Sequence, residues 1–113
     1  MLIPKNKYIR DVKHRRFIAS LPCLIYGTTD VQCAHIRHGN PCGMGIKPSD
    51  MFCVPLSVRA HTEQHDTSEV EFWREFLGVK RASKLAKDLY KASGNREKAL
   101  RLIAEWKLEQ TEL

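Results

Sequence analysis

The chain has 113 residues, of which 42% are hydrophobic and 28% are charged, which is enough for one folded domain with its own core. It contains no run of about 18 apolar residues and opens without the long apolar stretch of a secretory signal, which disfavours a membrane or secreted protein and predicts a cytoplasmic one. The formal net charge is +6, and the excess of Lys and Arg lies in residues 5–16 and 80–101, on either side of a nearly neutral, histidine-rich centre. This distribution suits a polyanion such as nucleic acid, although basic helix faces also serve solubility alone.

The N-terminal part is predicted to form a short helix followed by a strand. Residues 11–20 place their apolar side chains near one face, and the helix is expected to end before Pro22, because proline disfavours helix in the residue before it. A turn is expected at Gly27. Residues 31–36 then read as a strand that carries His35.

A loop and a second strand form the predicted centre of the chain. Residues 37–50 contain three Gly and two Pro, a composition typical of a loop. Residues 51–56 are a candidate strand, with Pro55 near its end, where a missing N–H costs least. Asp50 could supply an oxygen ligand to a metal, but its place before a strand favours a turn role.

The C-terminal half is predicted to be helical. Ser68 and Glu71 have the spacing of a capping box, and Gly78 is expected to end the helix that they begin. The predicted helix over residues 80–92 is amphipathic, with lysines on one face and leucines on another. The predicted helices cover residues 58–65, 68–77, 80–92 and 95–109. The lysines of that face are Lys80, Lys84, Lys87 and Lys91.

Cysteine usage argues against disulfides. Without a secretory signal, two disulfides are a poor interpretation of four cysteines, and the absence of any Cys-x-x-Cys pair disfavours the usual zinc knuckle. We therefore expect buried free thiols at Cys23, Cys33, Cys42 and Cys53.

Three histidines in a particular order indicate phosphodiester hydrolysis. His35 lies on a predicted strand, whereas His61 and His65 are one turn apart on a predicted helix and can point at one ion. Hydrolysis of a phosphodiester needs a base to deprotonate water and a cation to neutralise charge, and imidazole suits both tasks. Taken singly, the helical pair could be two surface histidines and His35 a core histidine.

Residues 11–77 resemble small phage- and prophage-type HNH nucleases, including the YbcO-like and Ref proteins. The matching stretches are RRFIASLPC at 15–23, AHIR at 34–37, CGMGIKPSD at 42–50 and VPL at 54–56, followed by His61 and His65. The resemblance implies an α+β chain with a ββα-metal (HNH) core of a hairpin and helix, flanked by an N-terminal helix and C-terminal helices. It also implies DNA cleavage that depends on a divalent metal, with His35 as general base and His61 and His65 as metal ligands.

The chain departs from these nucleases at two sets of positions. Their structural zinc ligands correspond here to Cys23, Tyr26, Ser57 and Ala60, and a single thiolate cannot hold zinc, so the structural zinc is expected to be absent. Ala34 stands where many of these nucleases place a further metal ligand. Two histidines then remain, completed by water and phosphate, and Mg²⁺, Mn²⁺, Ni²⁺ and Zn²⁺ all stay open.

The sequence therefore predicts one domain over 1–113, with an HNH-like core at 11–77 and a basic helical extension at 79–113. The main hypothesis is a metal-dependent DNA endonuclease, and the alternative is an inactive HNH-like module that binds DNA or protein. A homodimer and phage replication or recombination proteins are further candidate partners. The expected phosphate contacts are Arg37, Lys47 and Arg59 near the site, with Lys80, Lys84, Lys87 and Lys91 along the DNA backbone.

Overall fold

The computed structural model describes residues 9–39 and 48–111, and these two ranges form five helices and one antiparallel hairpin. This confirms the α+β class. A short 3-10 turn, Asp50–Phe52, leads into the second strand. In chain order the elements are α1 (Val12–Ala19), β1 (Val31–His35), β2 (Cys53–Ser57), α2 (Val58–Asp66), α3 (Glu69–Arg74), α4 (Val79–Lys91) and α5 (Arg96–Thr111).

The register of the hairpin places the end of β1 opposite the start of β2. His35 pairs with Cys53, and Cys33 pairs with Pro55. Pro55 was expected near the end of its strand but lies at its centre. This position is tolerated because each strand of a two-stranded sheet has one edge without a neighbouring strand. The Pro55 carbonyl accepts a hydrogen bond from the Leu24 N–H at 3.1 Å, which ties the turn after α1 to β2.

Short polar side chains cap the start of four of the five described helices, α4 being the exception. Each accepts a hydrogen bond from a backbone N–H of the first helical turn, which otherwise has no partner. Ser68 does so for α3, with the predicted capping spacing, and Asn95 for α5. Ser57 caps α2 and is also the last residue of β2. No loop therefore separates β2 from α2, and the direction of α2 is set by the hairpin.

The third helix ends earlier than the sequence predicts. It was expected to reach Leu77, but it ends at Arg74, and a turn covers the next residues. Leu77 has a φ of 68° and Gly78 a φ of 94°, so the reversal takes two left-handed residues. The Gly78 N–H bonds to the Trp73 carbonyl at 2.8 Å, which closes the end of α3.

One hydrophobic cluster joins the hairpin to the helices on both sides of it. Trp73 is fully buried, and its ring meets that of Trp106 edge to face at 6.1 Å. Helix α4 packs against β2 and against the 3-10 turn. The helices predicted as a basic extension thus share this core, and none of the described helices is long and apolar enough to cross a bilayer. Other members of the cluster are Ile18, Leu21, Ile36, Val54, Leu56, Leu85, Leu89 and Ile103.

Candidate functional site

A buried carboxylate holds the imidazole at the end of β1. The His35 side chain is 18% exposed, and its Nε2 lies 2.8 Å from Oδ1 of Asp50, which is 1% exposed. The other carboxylate oxygen, Oδ2, accepts the backbone N–H of Asp11 at 2.7 Å. Arg15 lies 3.4 Å from Oδ2 and Arg10 lies 3.9 Å from Oδ1. Because the carboxylate can only accept, His35 donates from Nε2 and its Nδ1 keeps a lone pair.

This role of Asp50 was not predicted from the sequence. Asp50 does begin a 3-10 turn, as a turn residue would, but its side chain points into the protein and not to solvent. No local pattern links it to His35, because the two residues are 15 positions apart in the sequence. The same holds for Arg10 and Arg15, which the sequence places only in a generally basic segment.

The two histidines of α2 point at each other. The Nε2 atoms of His61 and His65 are 3.1 Å apart, and their ring centroids are 4.7 Å apart. Two nitrogens bound to one tetrahedral zinc ion at about 2.0–2.1 Å would lie about 3.3 Å apart, so the pair fits a shared metal ion. His61 Nδ1 lies 2.8 Å from Oε1 of Gln32 on β1, which therefore accepts from it and leaves the Nε2 lone pair for a ligand role.

The electrostatic surroundings of His61 favour the form that binds metals. Its partial burial lowers its pKa below the ordinary value of 6.5, and the nearby His65 and His35 lower it further. Neutral imidazole is the ligand form of histidine.

His35 and His65 line the same surface cleft, which has a volume of about 400 Å³. Glu69 of α3 connects one wall of the cleft to the segment after β1, because its carboxylate accepts hydrogen bonds from the backbone N–H groups of Arg37 at 2.9 Å and His38 at 2.7 Å. The structure thus brings His35 of the strand and His65 of α2 to one cleft, and His61 is in direct contact with His65. The remaining lining residues are Gln64, Thr67, Ser68 and Val70.

The predicted phosphate contacts fall in different places. Arg37 borders the histidine cleft. Arg59 lies over the ring of Tyr26, 4.4 Å from its centroid, and 3.9 Å from the Glu63 carboxylate, and is not among the residues that line the cleft. Lys47 lies outside the described residues.

The lysine face of α4 is continuous with the histidine cleft. Its four predicted lysines are all exposed, and three of them line a neighbouring cleft together with His38 and Gly39. Because His38 lines both clefts, the positive face and the histidines form one surface. The four lysines are Lys80, Lys84, Lys87 and Lys91.

Three of the four side chains that the sequence compares with structural zinc ligands are hydrogen-bonded within the protein, namely Cys23, Tyr26 and Ser57. Cys23 Sγ accepts the backbone N–H groups of Ile25 at 3.4 Å and Tyr26 at 3.5 Å, and the thiol also bonds to Ser57. The Tyr26 hydroxyl donates to the Glu63 carboxylate on α2. The turn after α1 is therefore attached to α2 without a four-ligand set.

Two further cysteines lie beside His35. The thiols of Cys33 and Cys53 are hydrogen-bonded to each other, and this bond together with burial raises the pKa of Cys53 above its ordinary range. One ligand atom from each of Cys33, His35 and Cys53 lies within 4.8 Å of the others, so the group could bind a metal. The three described cysteines, these two and Cys23, are free thiols. The available sequence signal for this group was the spacing of Cys33 and His35, which are two residues apart on β1.

Comparison with known proteins places the chain in a family. Neither the curated proteins nor the solved structures contain a significant match to it. A family model described as "Protein of unknown function (DUF968)" matches residues 1–91, which is most of the chain and includes every histidine of the cleft. The chain belongs to the DUF968 family.

Proposed function

We propose that the protein is a metal-dependent endonuclease that hydrolyses phosphodiester bonds in DNA, with His35 as general base and His61 and His65 as metal ligands. One observation carries the proposal. His35, whose imidazole is fixed by a buried carboxylate, lines the same cleft as His65, and the Nε2 of His65 lies 3.1 Å from the Nε2 of His61. A base and a metal pair are the two parts that phosphodiester hydrolysis requires.

His35 has the surroundings of a general base. Its Nε2–H bonds to Asp50, so Nδ1 is the nitrogen that accepts a proton from water. The Asp50 carboxylate then stabilises the imidazolium that forms, because the two groups are 2.8 Å apart and the carboxylate is shielded from solvent. Asp50 is in this proposal a positioning residue, and the Asp11 N–H and Arg15 hold it in place.

The metal pair is positioned by the hairpin as well as by α2. Gln32 on β1 orients the ring of His61, and the helical spacing brings His65 beside it. When bound there, a divalent ion would neutralise charge on the scissile phosphate and on the leaving oxygen. Two imidazole ligands suit Mn²⁺, Ni²⁺ or Zn²⁺ better than Mg²⁺, which prefers oxygen.

The lysine face would hold the DNA. Lys84 and Lys87 line the cleft that shares His38 with the histidine cleft. Contacts of this kind position a duplex without reading its sequence, so we expect weak sequence preference and strong dependence on salt.

A second candidate function is a DNA- or protein-binding module that no longer cleaves. Ala34 favours it, because this residue is fully buried and offers no ligand where many similar nucleases have one. Such a module would use the same lysine face but would not need His35 or the metal pair.

Nicking of supercoiled plasmid separates the two functions. Purified protein is incubated with Mg²⁺, Mn²⁺, Ni²⁺ or EDTA, beside His35→Ala, His61→Ala and the control Lys107→Ala at an exposed position of α5. If the protein is a nuclease, we expect metal-dependent nicking by the wild type, which both histidine variants lose and the control keeps. Absence of cleavage with every metal, together with retained gel-shift binding, would favour the binding module. Unchanged nicking by His35→Ala would show that the base is another residue.

A further inference from the structure

We propose that Cys33, Cys53 and His35 form a second metal site, selective for a thiophilic divalent ion of the Zn²⁺ class and distinct from the His61–His65 pair. The three residues lie at one end of the hairpin. Cys33 and His35 share a face of β1 because they are two residues apart, and the antiparallel register sets Cys53 directly opposite His35.

The distances between the ligand atoms are close to those of a bound metal. The three atoms lie within 4.8 Å of one another. In a tetrahedral zinc site with two thiolates and an imidazole, these atoms lie about 3.5–3.8 Å apart. Closing the difference takes a movement of about 1 Å, which side-chain rotation supplies without a change in the strands.

The donor set determines which metals fit. Two sulfurs and one nitrogen favour zinc and similar ions, because soft thiolates are poor ligands for the harder ions Mg²⁺ and Mn²⁺. A bound ion would displace the two thiol protons to solvent and form two metal–sulfur bonds and one metal–nitrogen bond, with water in the fourth position. Two thiolates cancel the charge of the ion, which suits the partial burial of the site.

The carboxylate next to the site is a further reason to place a metal there. Metal-bound histidines commonly donate their other ring N–H to a carboxylate, which fixes the tautomer and raises the basicity of the ligand nitrogen. Asp50 already accepts from His35 at 2.8 Å and is itself fixed by the Asp11 N–H. With Nε2 bonded to Asp50, Nδ1 of His35 is the nitrogen that would bind the metal, so the structure contains three candidate ligands and the outer partner of one of them.

The second metal site would compete with the general-base role for His35, and this consequence rests on the proposed nuclease function. A His35 imidazole that binds a metal cannot also accept a proton from water. Occupation of the Cys33–His35–Cys53 site would therefore inhibit cleavage. The binding site itself does not depend on the nuclease proposal, because its ligands and their geometry stand without it.

Cobalt spectroscopy tests the site directly. Reduced, chelator-treated full-length protein is titrated with Co²⁺, whose bonds to thiolates give a strong charge-transfer absorption in the near ultraviolet, and bound Co²⁺ is then displaced with Zn²⁺ to measure zinc affinity. The variants are Cys33→Ser, which is only partly buried and should fold, and the double variant His61→Ala/His65→Ala. Cys42→Ser is the matched thiol control.

We expect the absorption in the wild type, in the double histidine variant and in Cys42→Ser. In Cys33→Ser we expect it to disappear and zinc affinity to fall by about a hundredfold or more, since loss of a direct ligand should cost at least as much as loss of an outer partner. No absorption in the wild type, or its persistence in Cys33→Ser, would overturn the proposal. Loss in Cys42→Ser with retention in Cys33→Ser would place the thiolate site elsewhere and would also overturn it.

A plasmid assay then tests competition separately. In the wild type, Zn²⁺ added to Mn²⁺-supported nicking should slow cleavage, and the ratio of rates with and without Zn²⁺ should return towards one in Cys33→Ser. If the wild type does not nick plasmid at all, the nuclease proposal fails while the spectroscopic result for the thiolate site stands. Equal inhibition of the two proteins would overturn competition at His35.

Discussion

The exchange of Asp50 for Asn tests whether the Asp50 carboxylate fixes the tautomer of His35, the proposed general base. Asparagine has nearly the same shape as aspartate but replaces one acceptor oxygen with a donor group. The Asp11 N–H can only donate, so the amide oxygen must take the place of Oδ2, and the amide NH₂ then faces His35 Nε2. His35 has to accept from it, which moves the ring proton to Nδ1. The nitrogen that would take a proton from water is thereby blocked.

The size of both effects follows from the contacts. A general base contributes about 10²–10⁴ in rate, so Asp50→Asn should lose most of that factor. The substitution weakens two hydrogen bonds of the Asp50 carboxylate, one with His35 and one with the Asp11 N–H. It also removes the negative charge that lies 3.4 Å from Arg15. We expect the free energy of unfolding to fall by about 2–3 kcal/mol, which leaves the domain folded.

Three measurements on Asp50→Asn separate these effects. Plasmid nicking gives the rate, thermal unfolding gives the stability, and ¹⁵N chemical shifts of the His35 ring report its tautomer, which a merely structural role would not change. Asp66→Asn at the exposed end of α2 is the matched control and should behave as wild type in all three. A folded Asp50→Asn protein with wild-type nicking, or with an unchanged His35 tautomer, would refute this account of the base.

Three other predictions concern the packing, the pH dependence and the basic face. Trp73→Phe should lower the free energy of unfolding by about 2–4 kcal/mol in chemical denaturation, because it opens a cavity and removes the 2.9 Å bond to the buried Gln64. Burial lowers the pKa of His14 below its ordinary value of 6.5. Its contribution to stability is therefore present above pH 6.5 and declines as the pH falls, because the unfolded chain then binds a proton more readily than the folded one. His14→Phe should therefore reduce the loss of stability between pH 7 and about pH 5. Lys84→Glu/Lys87→Glu should weaken DNA binding, because two phosphate contacts are lost. The slope of the logarithm of the binding constant against the logarithm of salt concentration should become less steep by about 2.

Each of these predictions has an outcome that contradicts it. Trp73→Phe with wild-type stability would mean that the bond to α2 contributes nothing to the fold. A pH profile of His14→Phe parallel to that of the wild type would assign the acid sensitivity to other groups. For the lysines, Lys98→Glu/Lys107→Glu on α5 makes the same change in net charge, and an equal loss of DNA binding in that protein would show a general charge effect with no defined surface.

Features that depend on neighbouring residues could be predicted from the sequence. The approach of His61 and His65 follows from helical geometry alone, because residues four apart lie on one face. The capping residues Ser68 and Asn95 mark helix starts, since their side chains satisfy N–H groups only two or three residues away. The lysine face of α4 follows from the same periodicity.

The tertiary structure decided the features that join distant segments. The bond between His35 and Asp50 exists because the packing of the hairpin sets the 3-10 turn beside the end of β1, where the Ile36 N–H bonds to the Phe52 carbonyl. The proximity of Cys33 and Cys53 depends on the strand register, and a shift by one residue would turn one thiol to the opposite face. A sequence records which groups are present and how they repeat along the chain, whereas long-range pairs are selected by the packing of the whole core, which no local pattern encodes.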